Sequence, residues 1–172
     1  TVISSGNSEL AFFIAKYDNN ANLIWAKTMS GNGTGTGNLI SIDEKGDIYA
    51  VGTFSGTIQF ETQSMTAASV ENTDNFLVKY AADGSMVWAR SLKGSKLDDI
   101  NAMDVANHQV VIGGVIRSED LAVDNAPGIL MKTLDTTGTW NSMLIISFDT
   151  DGNYQWNYIA GSSNQPTDVK TI

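Results

Sequence analysis

The run Asp149-Thr150-Asp151-Gly152-Asn153 places side-chain oxygens at its first, third and fifth positions around a turn glycine. That spacing is the chemistry of a calcium loop, in which carboxylate and amide oxygens surround a hard cation. Asp149, Asp151 and Asn153 are therefore candidate ligands for Ca²⁺. The ion takes roughly six to eight oxygens, and the twelfth position counted from Asp149 is Ala160 rather than a glutamate. The matching stretches Asp18-Asn19-Asn20 and Ala81-Ala82-Asp83 lose carboxylates in turn. The competing reading of the same run is a hairpin turn whose polar side chains hydrogen-bond their own backbone.

A second set of carboxylates is Asp98, Asp99 and Asp168. Two carboxylates at one mouth could act as general acid and base on a glycan, or hold a cation. Aspartates in loops also cap backbone amides, which is the competing reading. Trp140 stands in the polar loop Thr136-Thr137-Gly138-Thr139-Trp140-Asn141 and follows no repeat rule. An aromatic on such a loop is a candidate ligand contact. His108 is the one histidine and there is no cysteine, so the usual zinc sets and disulfides are excluded. Gly31-Asn32-Gly33-Thr34-Gly35 lacks the lysine of a phosphate loop and reads as a flexible loop over one repeat. No nucleophile elbow or dinucleotide fingerprint is present.

These residues hang on a repeat. Phe13-Ile14-Ala15-Lys16-Tyr17 and Leu23-Ile24-Trp25-Ala26-Lys27 return as Phe76 to Tyr80 and Met86 to Arg90, then as Leu144 to Phe148 and Tyr154 to Tyr158. From Trp25 to Trp88 is 63 residues, and from Trp88 to Trp156 is 68. A period of this size marks an array of supersecondary units. In the second repeat, Leu39 to Ile42 and Ile48 to Val51 predict two strands. An insertion holding Thr57 to Phe60 and Ser64 to Thr66 predicts a small hairpin, and Phe76 to Tyr80 and Met86 to Leu92 complete the unit. In the third, Leu121 to Val123 and Ile129 to Met131 form the inserted hairpin.

Asp83-Gly84 and Asp151-Gly152 are hairpin turns, because glycine accepts the positive φ they need. In the first repeat Ala21 holds that position, so Asn20 or Asn22 is expected to take the left-handed conformation instead. Trp25, Trp88 and Trp156 are expected to share a strand face with Leu23, Met86 and Tyr154 and to pack one repeat on the next.

Four short antiparallel strands per period predict an all-β, β-propeller-type array. Residues 1–172 form one segment: a partial blade over 1–36, blades over 37–94 and 95–161, and a partial blade over 162–172. Two complete and two partial blades cannot close a ring, so the chain is expected to be part of a longer one or to assemble with copies of itself. First strands lining a central channel would bring Asp98, Asp99 and Asp168 to its mouth.

The formal charge of −9, from 19 acidic and 10 basic residues, opposes binding to nucleic acid or anionic membranes. No apolar run is long enough to cross a membrane as a helix.

Phe76, Val78, Lys79, Tyr80, Asp83, Gly84 and Trp88, with Gly46, Ile48, Tyr49, Val51, Gly52 and Thr53, resemble the bacterial SBBP-type β-propeller repeat. The resemblance covers nearly the whole chain. The third repeat departs from it: Asn107-His108-Gln109 replaces the usual turn and Ser147 replaces the lysine. The resemblance implies a secreted or cell-surface bacterial protein and carries no catalytic residues. The function expected is a non-catalytic repeat scaffold for adhesion, display, or binding of a protein or glycan at a surface. The alternatives are a glycan-active enzyme using the channel carboxylates and a calcium-stabilised scaffold.

Overall fold

The structure, a computed structural model, describes residues 11–69, 71–134 and 141–161. Every regular element among them is a β-strand. The first unit contributes β1 (Phe13–Tyr17) and β2 (Leu23–Thr28), followed by the short β3 (Ser30–Gly31). The second contains β4 (Thr34–Ile42), β5 (Ile48–Ser55), the inserted hairpin β6 (Thr57–Phe60) and β7 (Gln63–Thr66), then β8 (Asp74–Tyr80) and β9 (Met86–Lys93). The third repeats this with β10 (Asp99–Ala106), β11 (Gln109–Ile116), β12 (Leu121–Val123), β13 (Leu130–Met131), β14 (Ser142–Asp149) and β15 (Tyr154–Ala160).

Units two and three are each a four-stranded antiparallel sheet in chain order, β4-β5-β8-β9 and β10-β11-β14-β15. The inserted hairpins do not extend their own sheets. Hairpin β12–β13 pairs with β9 of the unit before it, Ala122 opposite Lys93 and Val123 opposite Leu92. Hairpin β6–β7 pairs in the same way with β3, Ser30 opposite Gln59 and Gly31 opposite Ile58. Each insertion thus covers the outer edge of the preceding unit. It is also tied to its own unit: the Gln63 side chain donates to Ala89 O (2.7 Å) and accepts from Ala89 N–H (3.0 Å).

The middle unit is covered on both faces. Every residue of β8 is buried. Alternate side chains of a strand point to opposite faces. Phe76, Val78 and Tyr80 therefore join one core with Ile14, Phe12 and Met29 of the first unit. Leu77 joins the other, with Ile112, Leu144, Ile146 and Phe148 of the third. At the inner edge, the first strands β4 and β10 lie against each other.

The cores are connected by one contact made twice. The Trp25 ring lies on the turn at Gly84, and its Nε1 donates to Ala82 O (3.3 Å). The Trp88 ring lies on Gly152, and its Nε1 donates to Thr150 O (3.0 Å). Lysines of the neighbouring strand reach the same carbonyls, Lys16 at 2.8 Å and Lys79 at 3.2 Å. Gly84 and Gly152 have φ of 89° and 80°. A methyl group there would sit 2.8 Å and 2.7 Å from indole carbons. Glycine is thus required twice over, for the dihedral and for the space.

Three expectations are corrected. Ala21 itself adopts the left-handed conformation (φ 61°), rather than Asn20 or Asn22. The turn hydrogen bonds fix it there: Ala21 N–H donates to Asp18 O and Asp18 N–H to Asn22 O, as in the glycine-bearing turns. Second, the repeat tryptophans do not share a face with the residues two before them. A β-bulge in each third-to-fourth hairpin sets Lys79 opposite Trp88 but Tyr80 opposite Met86. The extra residue reverses the alternation, so Trp88 enters one core while Met86 packs on the other. Third, the 31–35 glycine run is not a flexible loop. It runs from β3 into β4, and its backbone is pressed so closely on Ser55 and Thr57 carbonyls that side chains at Gly31 and Gly33 would collide.

Trp88 is 5% exposed and Trp156, at the same position of the third unit, is 43% exposed. Trp88→Ala should therefore cost about 3–5 kcal/mol of stability, and Trp156→Ala less than about 1 kcal/mol. Urea unfolding of the two variants measures both. Equal losses would mean that the indole–turn contact does not hold the units together.

Candidate functional site

The carboxylate turns are built by local hydrogen bonding. Asp149 Oδ1 accepts from the N–H groups of Asp151 (3.0 Å) and Asn153 (2.8 Å). Its Oδ2 accepts from Asn153 Nδ2 (3.0 Å) and Gln155 Nε2 (3.1 Å). Burial raises the Asp149 carboxyl, but the Asn153 and Asp151 donors outweigh it and hold the group below the usual carboxylate range. Asp18 repeats the pattern with Asn20 and Asn22, and Asp43 with Lys45 and Asp47. Both oxygens of Asp149 thus serve protein donors, and of the proposed ligand trio Asp151 supplies a backbone N–H to the turn. Among the described residues no group of three His, Asp or Glu side chains could hold a metal ion.

Asp98 and Asp99 lie next to each other but have different partners. Asp98 is 2% exposed. Its Oδ1 accepts from the N–H groups of Arg117 (2.7 Å) and Ser118 (2.9 Å), and its carbonyl accepts from Asn75 Nδ2 (2.6 Å). Neither backbone donor reaches Oδ2, which is enclosed beside Gly94 and Ser118. Burial pushes the Asp98 carboxyl up, against the pull of the Ser118 and Arg117 hydrogen bonds. Asp99 Oδ2 is ion-paired with Arg117 Nη1 at 2.8 Å, both side chains being partly exposed. Arg117 therefore meets Asp98 through its backbone and Asp99 through its side chain. The other two candidates, Trp140 and Asp168, lie outside the described residues.

The same loop end uses more aspartates than the sequence pattern singled out. Asp74 Oδ1 accepts from Gly94 N–H (3.0 Å), Asp120 Oδ1 from Ser95 N–H (2.8 Å), and Asp124 Oδ2 from Ser91 N–H (3.0 Å). Asp120 and Asp124 tie the second insertion to β9 and the loop after it, and Asp74, at the start of β8, holds the same loop. Nothing in their local sequence announces this, because the partners are 20 to 33 residues away.

A charged site runs through the interface of units two and three. Lys79 Nζ lies 3.0 Å from Asp47 Oδ2 and 5.1 Å from the centre of the Tyr49 ring. The Tyr49 hydroxyl donates to Asp43 Oδ2 (3.1 Å). Burial draws the Lys79 ammonium down, but the Tyr49 and Asp47 contacts outweigh it and hold its pKa above the ordinary lysine value. Beside this network is a cleft of about 180 Å³, lined by Glu44, Lys45, Asn107, His108 and Thr150. Asn107 and His108 both have positive φ, 50° and 61°, in a tight two-residue hairpin. A second groove, of about 210 Å³, is apolar and lies between Phe13 and Ile14 of β1 and Leu39 and Ile40 of β4.

No family model matches the chain. The regulatory protein FlaEY of Caulobacter vibrioides is 27% identical over 152 residues, which are 87% of this chain and 15% of that protein. An uncharacterized WD repeat-containing protein of Acanthamoeba polyphaga mimivirus is 22% identical over 173 aligned positions, 94% of this chain and 12% of that protein. The chain thus spans under a sixth of the length of each of these relatives.

Two outcomes follow from this geometry. Asp98→Ala removes the acceptor of two backbone N–H groups and should cost about 2–4 kcal/mol, whereas Asp98→Asn retains Oδ1 and should cost less than about 1 kcal/mol; thermal unfolding of both variants decides it. The raised Lys79 contributes stability that is fully present below the unfolded lysine value of 10.5 and is lost as pH rises through its folded value. A Lys79→Met variant should therefore show a shallower alkaline loss of stability than the parent chain. Identical alkaline slopes would remove Lys79 as the cause.

Proposed function

We propose that this chain is part of a non-catalytic, β-propeller-type repeat scaffold of a secreted or cell-surface bacterial protein. It serves adhesion, structural display, or binding of a protein or glycan, and further repeat units complete the ring. One observation carries the reading: the same indole–turn contact joins the first unit to the second and the second to the third, and the first strands of the two four-stranded units, β4 and β10, lie side by side. Such an array builds surface by repetition. The weak likeness to a WD repeat-containing protein supports the propeller reading.

The hydrolase alternative has less support. Asp98 is buried and held by two backbone amides, and Asp99, although partly exposed, is ion-paired with Arg117, so the two carboxylates do not face one open site as an acid–base pair. The calcium alternative is weakened in the same way by the donors around Asp149. The insertions supply the variable surface that a binding scaffold needs.

The purified chain should bind members of an oligosaccharide array or a surface-protein panel saturably and release no product from fluorogenic glycosides. Turnover that disappears in the Asp99→Asn variant would replace the scaffold by an enzyme.

A further inference from the structure

The contact between units is directional. Each unit offers an indole on its fourth strand, and the following unit receives it on the turn between its third and fourth strands. The third unit carries the offering face again. Trp156 stands opposite Ser147 across β14 and β15, as Trp88 stands opposite Lys79 across β8 and β9. Trp156 and Tyr158 on that strand are 43% and 57% exposed. The Ser147 hydroxyl, at the position from which Lys16 and Lys79 reach the next turn, is buried without a hydrogen-bond partner.

The receiving site has a strict requirement, visible at both occupied examples. Its residue has positive φ and no Cβ, because a methyl group at Gly84 or Gly152 would lie within 2.8 Å of the indole. The first unit has an exposed turn with the same hydrogen bonds and the same left-handed φ, but Ala21 fills that position. Its methyl group occupies the space where an arriving indole would rest. Packed interfaces do not absorb an overlap of that size without moving apart.

We propose that the outer face of the third unit, centred on Trp156, is a docking surface for a further repeat unit of this type whose third-to-fourth turn carries glycine. The first unit of a second copy is not its partner. This deepens the repeat-scaffold reading and rests on it: the ring is completed by a different, glycine-bearing unit, and head-to-tail closure by identical copies is blocked at one methyl group.

The test uses sedimentation equilibrium of the chain, of Ala21→Gly, and of Ala21→Gly combined with Trp156→Ala. Ala21→Gly should keep the fold, since glycine accepts the existing φ, and thermal unfolding checks that. The expected result is self-association at least roughly tenfold tighter in Ala21→Gly, abolished by adding Trp156→Ala. Equal association constants for the parent and Ala21→Gly would overturn the proposal, whether both are weak or both strong. So would association in Ala21→Gly that survives loss of Trp156. Any of these would leave the scaffold reading standing, because that reading fails separately, on glycoside turnover.

Discussion

An aromatic ring lying flat on a glycine turn is the constraint on which the rest of the architecture depends. Trp25 on Gly84 and Trp88 on Gly152 set the distance and orientation between neighbouring sheets. The indole N–H gives that packing a direction, since it reaches a turn carbonyl that also takes a lysine. Apolar burial alone is non-directional, and two flat sheets could slide over each other at little cost. A ring fitted to a missing side chain, with a hydrogen bond at its rim, leaves one register. The bulge in each third-to-fourth hairpin belongs to the same arrangement, because it turns the tryptophan toward the following unit.

The polar residues serve the frame as well. Most aspartates described above accept backbone N–H groups, either within their own turn, as at Asp18, Asp43 and Asp149, or across to a neighbouring segment, as at Asp74, Asp98 and Asp124. A structure with short strands and long connections has many backbone amides outside its ladders, and each needs an acceptor if it is buried. A carboxylate supplies two oxygens for that purpose. Acidic composition here follows in part from the number of turns and crossings. Lys79 is the complementary case, a buried cation between two units held by Asp47, Tyr49 and a turn carbonyl.

The order of the strands was legible in the sequence because the repeat shows three times which residues matter. The inserted hairpins were legible too, as β6–β7 and β12–β13. Their partners were not, because pairing with the preceding unit involves only two residue pairs and leaves no periodic trace. The faces of Met86 and Trp88 were misjudged from simple alternation, since a one-residue bulge has no reliable composition signal. Ala21 was misread for a related reason. Propensity disfavours alanine at positive φ, yet the turn hydrogen bonds shared with its glycine counterparts override it. At the candidate site, the local Asx pattern of Asp149 was readable. The long-range roles of Asp98 and Asp124 depend on loops brought together only in the fold.

The exchanged hairpins also fix an order of events during synthesis. Strand β9 ends at Lys93, but the hairpin that covers its edge begins at Leu121. A nascent second unit therefore leaves the ribosome with its outer edge bare, and keeps it so until β10, β11 and the hairpin beyond them have emerged. The first unit waits in the same way, from Gly31 to Thr57. Chains are made at roughly 5–20 residues per second, so each edge stays uncapped for on the order of seconds. The newest outer edge is in each case the one left without its covering hairpin until the following unit has been made.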